Sequence, residues 1–257
     1  MSGPFPGPAF RACTVRCCVA LAFVGLAFFA VAPTRADGPG HSTSGWPMIG
    51  RDVANTRHQP AEWRVGPHNV RRLAPRWVVT TGGDVSATPA VIGETSGPRG
   101  RHRPRDVVYF PHWGGGLWKV GAERGDVVWS RFISEYNGIA GSISRTSPAY
   151  AHGTIFIGDL NGNMMAVDAA TGDLRWMTEL DPNPNTIVTT SPVVHANRLY
   201  IATSSSGGGE ARQVFRGSMV ALDLRTGDIV WQQFALPDNG GTPGGFAGGG
   251  VLHPPGD

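Results

Sequence analysis

The sequence predicts an all-β chain, a β-propeller assembled from four-stranded repeats that each close on a tryptophan. Three observations carry this. The phrase AVDAATGDLRW at 166–176 returns as ALDLRTGDIVW at 221–231, identical at six of eleven positions. Trp129, Trp176 and Trp231 recur at roughly 50-residue spacing, the period of a propeller blade. The rest of the chain is short β-like runs among 37 glycines and 21 prolines, with no long stretch of helical periodicity.

Taken in order, the N-terminus comes first. Residues 1–36 read as a signal peptide: Arg11 and Arg16, then the apolar or small run CCVALAFVGLAFFAVA at 17–32, then a small-residue exit. That run is shorter than the about 20 residues of a membrane span. Cleavage is placed after Ala36, which leaves no stable membrane anchor; cleavage after Ala32 and an uncleaved anchor are the alternatives. Removal would take away Arg11, Arg16 and Arg35 and no acid, so the formal +3 charge belongs to the leader and 19 acidic residues are balanced. It would also take Cys13, Cys17 and Cys18, the chain's 3 cysteines. The exported part then has no disulfide, no thiolate zinc site and no thioether haem site. A neutral exported chain gives no reason to expect a nucleic-acid partner.

Residues 37–85 are an entry segment and a lone outer strand, Val70–Gly83, carrying Trp77. Residues 86–257 are a partial propeller. Its blades fall at about 86–133, 144–181 and 188–237, and a further blade starts at 246–257. Each copy opens on a Thr/Ser-Pro step (Thr88-Pro89, Ser147-Pro148, Ser191-Pro192), passes through a β-rich hairpin and a loop, and ends in a turn and the Trp strand. Thr171-Gly172-Asp173 is expected to form the last tight turn, with Gly172 at positive φ and Asp168 accepting bonds from turn amides. Trp176 is expected to lie over the neighbouring blade. Propellers have about four blades or more, so three copies do not close a ring. The expectation is the N-terminal part of a longer protein or a truncated product.

The stretch WPMIGRDVANTRHQP at 46–60 resembles the entry motif of quinoprotein dehydrogenases, and the A-x-D-x-x-T-G-x-x-x-W phrases resemble their tryptophan-docking repeats. GSISRTSPA, FRGSMVALD and NGGTPGGFAGGGV look most like the polyvinyl-alcohol-dehydrogenase-like branch. The resemblance covers 46–257. It implies an eight-bladed propeller that holds pyrroloquinoline quinone (PQQ), usually with calcium. It also implies oxidation of an alcohol or polyol in the periplasm or outside the cell, with cytochrome c as electron acceptor. The cofactor would sit at one mouth of the channel, among the first-strand entries and the second-to-third-strand loops. The candidates there are Arg145, Thr146, Ser147, Thr189, Thr190, Ser191 and Arg216. Arginine suits the quinone's carboxylates because its planar fork binds them in two places; the hydroxyls suit quinone oxygens. The alternative is that the Thr/Ser-Pro steps only shape the strand entries.

Two departures stand against catalysis by this polypeptide. The adjacent cysteine pair of the family, sought just before FRGS, is absent from GGGEARQVFRGS, and the catalytic Asp belongs to later blades. No catalytic residue is assigned. The alternative function is a non-catalytic PQQ-like propeller serving as a binding or assembly scaffold, or a truncated remnant. RGRHRPR at 99–105 reads as a solvated hairpin loop. Asp159-x-Asn161-x-Asn163 has the oxygen spacing of a calcium loop but lacks the later acid, so a hairpin turn explains it better. No metal ligands are assigned.

Overall fold

A computed structural model describes Gly3 and residues 45–60, 62–94, 105–206 and 215–236. Residues 1–36 (apart from Gly3), the expected hairpin loop up to Pro104 and the proposed blade start at 246–257 lie outside the described residues.

Three four-stranded antiparallel sheets follow one another, each a meander. The first is β1 (Ala90–Glu94), β2 (Arg105–Pro111), β3 (Gly116–Gly121) and β4 (Val127–Phe132). The second is β5 (Ala149–Ala151), β6 (Thr154–Gly158), β7 (Asn163–Asp168) and β8 (Leu174–Glu179). The third is β10 (Val193–His195), β11 (Arg198–Ala202), β13 (Ser218–Asp223) and β14 (Ile229–Phe234). A small ladder pairs β9 (Thr186–Ile187) with β12 (Ser204–Ser205) at the third sheet's entry. One helical turn, α1 (Ile133–Asn137), leaves β4.

The middle sheet explains why its strands read as continuous apolar runs. All five residues of β6 are buried. Side chains alternate between faces along a strand, so a sheet covered on both sides must be apolar at every position. Ile155, Ile157, Met165 and Val167 join a core with Tyr109, Leu117 and Trp129 of the first sheet. Phe156, Met164 and Ala166 face the other way, toward Leu199, Val220 and Leu222 of the third.

The repeated phrase builds the contact between sheets. Gly125, Gly172 and Gly227 hold φ of 75, 79 and 79° in the turns before the fourth strands. Against each lies a tryptophan from the preceding repeat. A Cβ at those glycines would stand 2.7 Å from the Trp77 ring, 3.0 Å from Trp129 and 2.6 Å from Trp176. The indole Nε1 of each tryptophan donates to a carbonyl in the same turn. Trp77 reaches Ala122 at 2.8 Å, Trp129 reaches Ala169 at 3.2 Å and Trp176 reaches Leu224 at 3.3 Å. Each third-to-fourth strand pair carries a register shift at the equivalent place: Lys119/Val120, Ala166/Val167 and Ala221/Leu222. The turn itself is closed by its aspartate. Asp168 Oδ1 accepts Ala170 N at 2.8 Å and Thr171 N at 3.0 Å, and Asp223 Oδ1 does the same for Arg225 and Thr226.

The lone outer strand expected at Val70–Gly83 is a correction. The segment holds a single 3-10 turn, Val70–Arg72, and no strand. Trp77 nevertheless takes the place its repeat position requires. A strand needs a ladder partner to satisfy its backbone, and among the described residues no third strand of the kind that supplies one in the later repeats precedes this segment.

The entry motif crosses the first strands. Trp46 and Val91 exchange backbone bonds at 2.7 and 2.9 Å, Tyr150 N donates to the Pro47 carbonyl at 2.7 Å, and Met48 is buried in the core between the second and third sheets. Asp52 closes the motif's own loop on Thr56, through the amide at 3.1 Å and the hydroxyl at 2.6 Å.

Replacing Trp129, which is 8% exposed, with alanine is expected to lower stability by about 3–5 kcal/mol in urea denaturation; a loss under about 1 kcal/mol would contradict its packing role. The Asp168 carboxyl lies below its ordinary pKa, chiefly through the Arg175 hydrogen bond, with the two turn amides also lowering it. A depressed carboxylate stabilises the fold above its unfolded pKa of about 3.9. That contribution fades as pH falls through this value toward the folded one. Asp168→Asn should therefore flatten the loss of stability on the acid side, read as Tm against pH; an unchanged slope would contradict it.

Candidate functional site

Each first strand is entered at the sheet end where the second strand turns into the third. The Thr/Ser-Pro steps, Arg145, the His112–Gly115 loop and the Asp159–Gly162 loop therefore share one end of the sheets, and the Asp-Thr-Gly turns share the other.

At this end the junction of the first two sheets presents an aromatic and cationic surface. Trp113 is 38% exposed. Its Nε1 donates to Ser86 Oγ at 2.9 Å and its backbone amide to the Asp84 carbonyl at 2.9 Å. The Arg145 guanidinium stacks on the Trp113 ring at 4.0 Å. A guanidinium on an indole face keeps its N–H edges free to meet a carboxylate in the ring plane. His112, the residue before Trp113, is buried. Its Nδ1 accepts Gly114 N at 3.1 Å and its ring meets Trp118 edge-on at 5.4 Å. Burial lowers its pKa, so the imidazole is held neutral.

The predicted hydroxyls are engaged within the sheets. Thr146 Oγ1 accepts Gly158 N at 3.0 Å and donates to Gly158 O at 3.4 Å. Thr190 Oγ1 makes the same pair with Ala202, at 3.1 and 2.9 Å. Each threonine thus finishes the second strand of its sheet. In the first sheet that strand ends in Pro111, which has no amide to satisfy, and the equivalent residue is Ala87. Ser147 and Ser191 link sheets instead. Thr88 N donates to Ser147 Oγ at 2.9 Å, and Ser147 N to Ser191 Oγ at 2.9 Å. Thr189 is exposed. Arg216, two residues before β13, is half-buried and stacks on Phe234 of β14 at 4.1 Å, so the two predicted arginines lie at different sheets.

Asp159 is fully buried and its carboxylate is consumed by the fold. Oδ1 accepts Asn161 N and Asn163 N at 2.9 and 2.8 Å; Oδ2 accepts the side chains of Asn163 and Asn137 at 2.9 and 2.8 Å. This is the hairpin turn reading of that stretch. Among the described residues no three His, Cys, Asp or Glu side chains gather as a metal site. For a planar polycarboxylate such as PQQ, Arg145 and Trp113 supply a fitting cation and aromatic surface, while the Thr146, Ser147 and Thr190 hydroxyls have other partners. Trp113 and His112 were not singled out by the sequence reading. Their signal was HWGGG, a bulky pair before glycines in a second-to-third-strand loop.

Comparison with known proteins shows what the chain as a whole is similar to. A family model described as "Outer membrane protein assembly factor BamB", of PQQ-repeat type, matches residues 74–235. A polyvinylalcohol dehydrogenase of a Pseudomonas species is 26% identical over 198 residues, covering 74% of this chain and 29% of the relative. Methanol dehydrogenase [cytochrome c] subunit 1 of Paracoccus denitrificans is 26% identical over 234 residues, covering 84% of this chain and 34% of the relative. The crystal structure of quinohemoprotein alcohol dehydrogenase from Comamonas testosteroni shares the fold, with a TM-score of 0.59 at 24% identity over 78% of this chain and 28% of that one. The chain thus spans about a third of the length of the curated relatives it matches. It belongs to the PQQ-repeat family.

Thr146→Val removes the hydroxyl that accepts the buried Gly158 amide, and should cost about 1–3 kcal/mol of stability; a neutral result in thermal unfolding would contradict the strand-finishing role. The His112 ring should titrate below its ordinary value near pH 6.5, followed by NMR; a midpoint at or above that value would contradict its burial.

Proposed function

We propose, from this family membership, that the chain forms the first blades of an exported quinoprotein dehydrogenase-like propeller that oxidises an alcohol or polyol with PQQ. The single observation that carries the reading is the Arg145–Trp113 stack at the end of the sheets where the strand entries gather. PQQ supplies the two-electron redox chemistry when bound. In this reading Arg145 holds a cofactor carboxylate, and Trp113 gives the apolar wall that fixes the guanidinium plane. Arg216 offers a second cation from the third sheet. Thr146, Ser147 and Thr190 act on the site through the strand entries they hold. Residues 1–36 are the export signal, 37–85 the entry segment, and 86–257 the blades, with the protein acting in the periplasm or outside the cell. Electrons pass to a cytochrome-type acceptor, and calcium accompanies the quinone.

A second reading is a non-catalytic scaffold of the same repeat type. The absence of cysteine from residues 37–257 favours it, since the cysteine pair of the resembling enzymes has no counterpart there. The matching family model also carries the description of an assembly factor.

The test is titration of the purified protein with PQQ by calorimetry, followed by dye reduction with calcium and simple or polymeric alcohols. Saturable binding that falls about tenfold or more in Arg145→Ala, a loss of about 1.4 kcal/mol or more, is expected. Wild-type affinity in that variant would remove Arg145 from the site. PQQ binding without alcohol-dependent dye reduction would favour the scaffold.

A further inference from the structure

We propose that the cleft between the second and third sheets, at the end opposite the strand entries, binds a short aliphatic hydroxy acid. The cleft is a cavity of about 460 Å³ lined by Phe156, Trp176 and Leu224 within and by Arg175, Asp223 and Arg225 at its rim. It is distinct from the Arg145–Trp113 surface and needs no cofactor.

The repeat shows what the cleft lacks. At the junction of the first and second sheets, three side chains in register, Tyr109, Lys119 and Trp129, converge on one carbonyl. Tyr109 Oη, Lys119 Nζ and Trp129 Nε1 donate to Ala169 O at 2.9, 3.2 and 3.2 Å. Lys119 is only 3% exposed, so its butyl chain fills that junction. At the next junction the registered triple is Phe156, Ala166 and Trp176. The phenol hydroxyl and everything of the lysine side chain beyond Cβ are gone. Leu224 O, in the place of Ala169 O, receives only Trp176 Nε1, at 3.3 Å, among the described contacts. A carbonyl has two lone pairs, so one acceptor position remains beside an apolar wall.

Charge selects the rest of the ligand. Arg175 pairs with Asp168 at 2.7 Å and Asp223 with Arg198 at 2.9 Å. Arg225 makes no ion pair among the described residues and leaves a net positive charge at the rim. A neutral hydroxyl satisfies Leu224 O, a short methylene chain lies on Phe156 and Trp176, and a carboxylate meets Arg225.

The experiment titrates the isotopically labelled full chain, without quinone, with δ-hydroxyvalerate and follows the indole N–H resonances. A saturable shift of Trp176, with Trp129 unmoved, is expected. Valerate and n-pentanol should each bind about tenfold more weakly or worse, as should δ-hydroxyvalerate to Arg225→Gln. Ala166→Lys refills the cleft and should abolish the shift. Phe156→Tyr adds one oxygen in the style of Tyr109 and decides the matter if Ala166→Lys does not fold; it should weaken binding. No saturable shift, an unchanged affinity in Phe156→Tyr, or valerate binding as well as its hydroxylated counterpart would overturn the proposal.

Discussion

Among the described residues, each four-stranded sheet takes on its turn glycine an indole from the preceding part of the chain. The contact has three inseparable parts. The glycine must sit at positive φ, which a side chain resists. It must also lack a Cβ, because the ring occupies that space. The neighbouring carbonyl then accepts the indole N–H, so the ring is fixed in direction as well as in depth. An apolar face alone would let one sheet slide on another, since burial is non-directional. The hydrogen bond and the glycine notch select one placement, and the repeat applies it three times, at Gly125, Gly172 and Gly227.

A second link works at the opposite end of the sheets. The Thr88 and Ser147 amides donate to the Ser147 and Ser191 hydroxyls, tying each first strand to the next. The entry motif adds a third tie across β1 and β5 through Trp46 and Pro47. With both ends of each sheet held, the loops between second and third strands have fixed anchors. That is how Trp113, from the first sheet, comes to lie under Arg145, from the entry to the second. That aromatic and cationic surface is thus a consequence of how the sheets are joined.

Much of this was legible in the sequence. The period, the four-strand unit, the positive φ of Gly172 and the amide-binding role of Asp168 all follow from a phrase whose residues have few other uses. The hydroxyls at strand entry were harder to read. Thr146, Ser147 and Thr190 lie where a cofactor would be met, and their types suit quinone oxygens as well as backbone amides. Only the folded strands show that the Gly158 and Ala202 backbone groups lie within reach of the threonine hydroxyls. The clue was present in the first repeat, where Pro111 has no amide and Ala87 has no hydroxyl, but it requires strand pairing to be known. Trp77 lies against Gly125 although no strand carries it, because side-chain packing is set by the repeat while a ladder needs a partner. Lys119 reads as a surface residue by type; its burial depends on the Ala169 carbonyl, 50 residues away in the chain.

The measurement that bears most directly on the joining of the sheets is hydrogen exchange of the individual indole N–H groups under native conditions. Trp129 and Trp176 are bonded into the following turns, whereas Trp231 is 43% exposed. Slow exchange of the first two, reaching the limit set by global unfolding for Trp129, together with fast exchange of Trp231 is the predicted result. Exchange of Trp129 as fast as that of Trp231 would show that the indoles do not hold the sheets together.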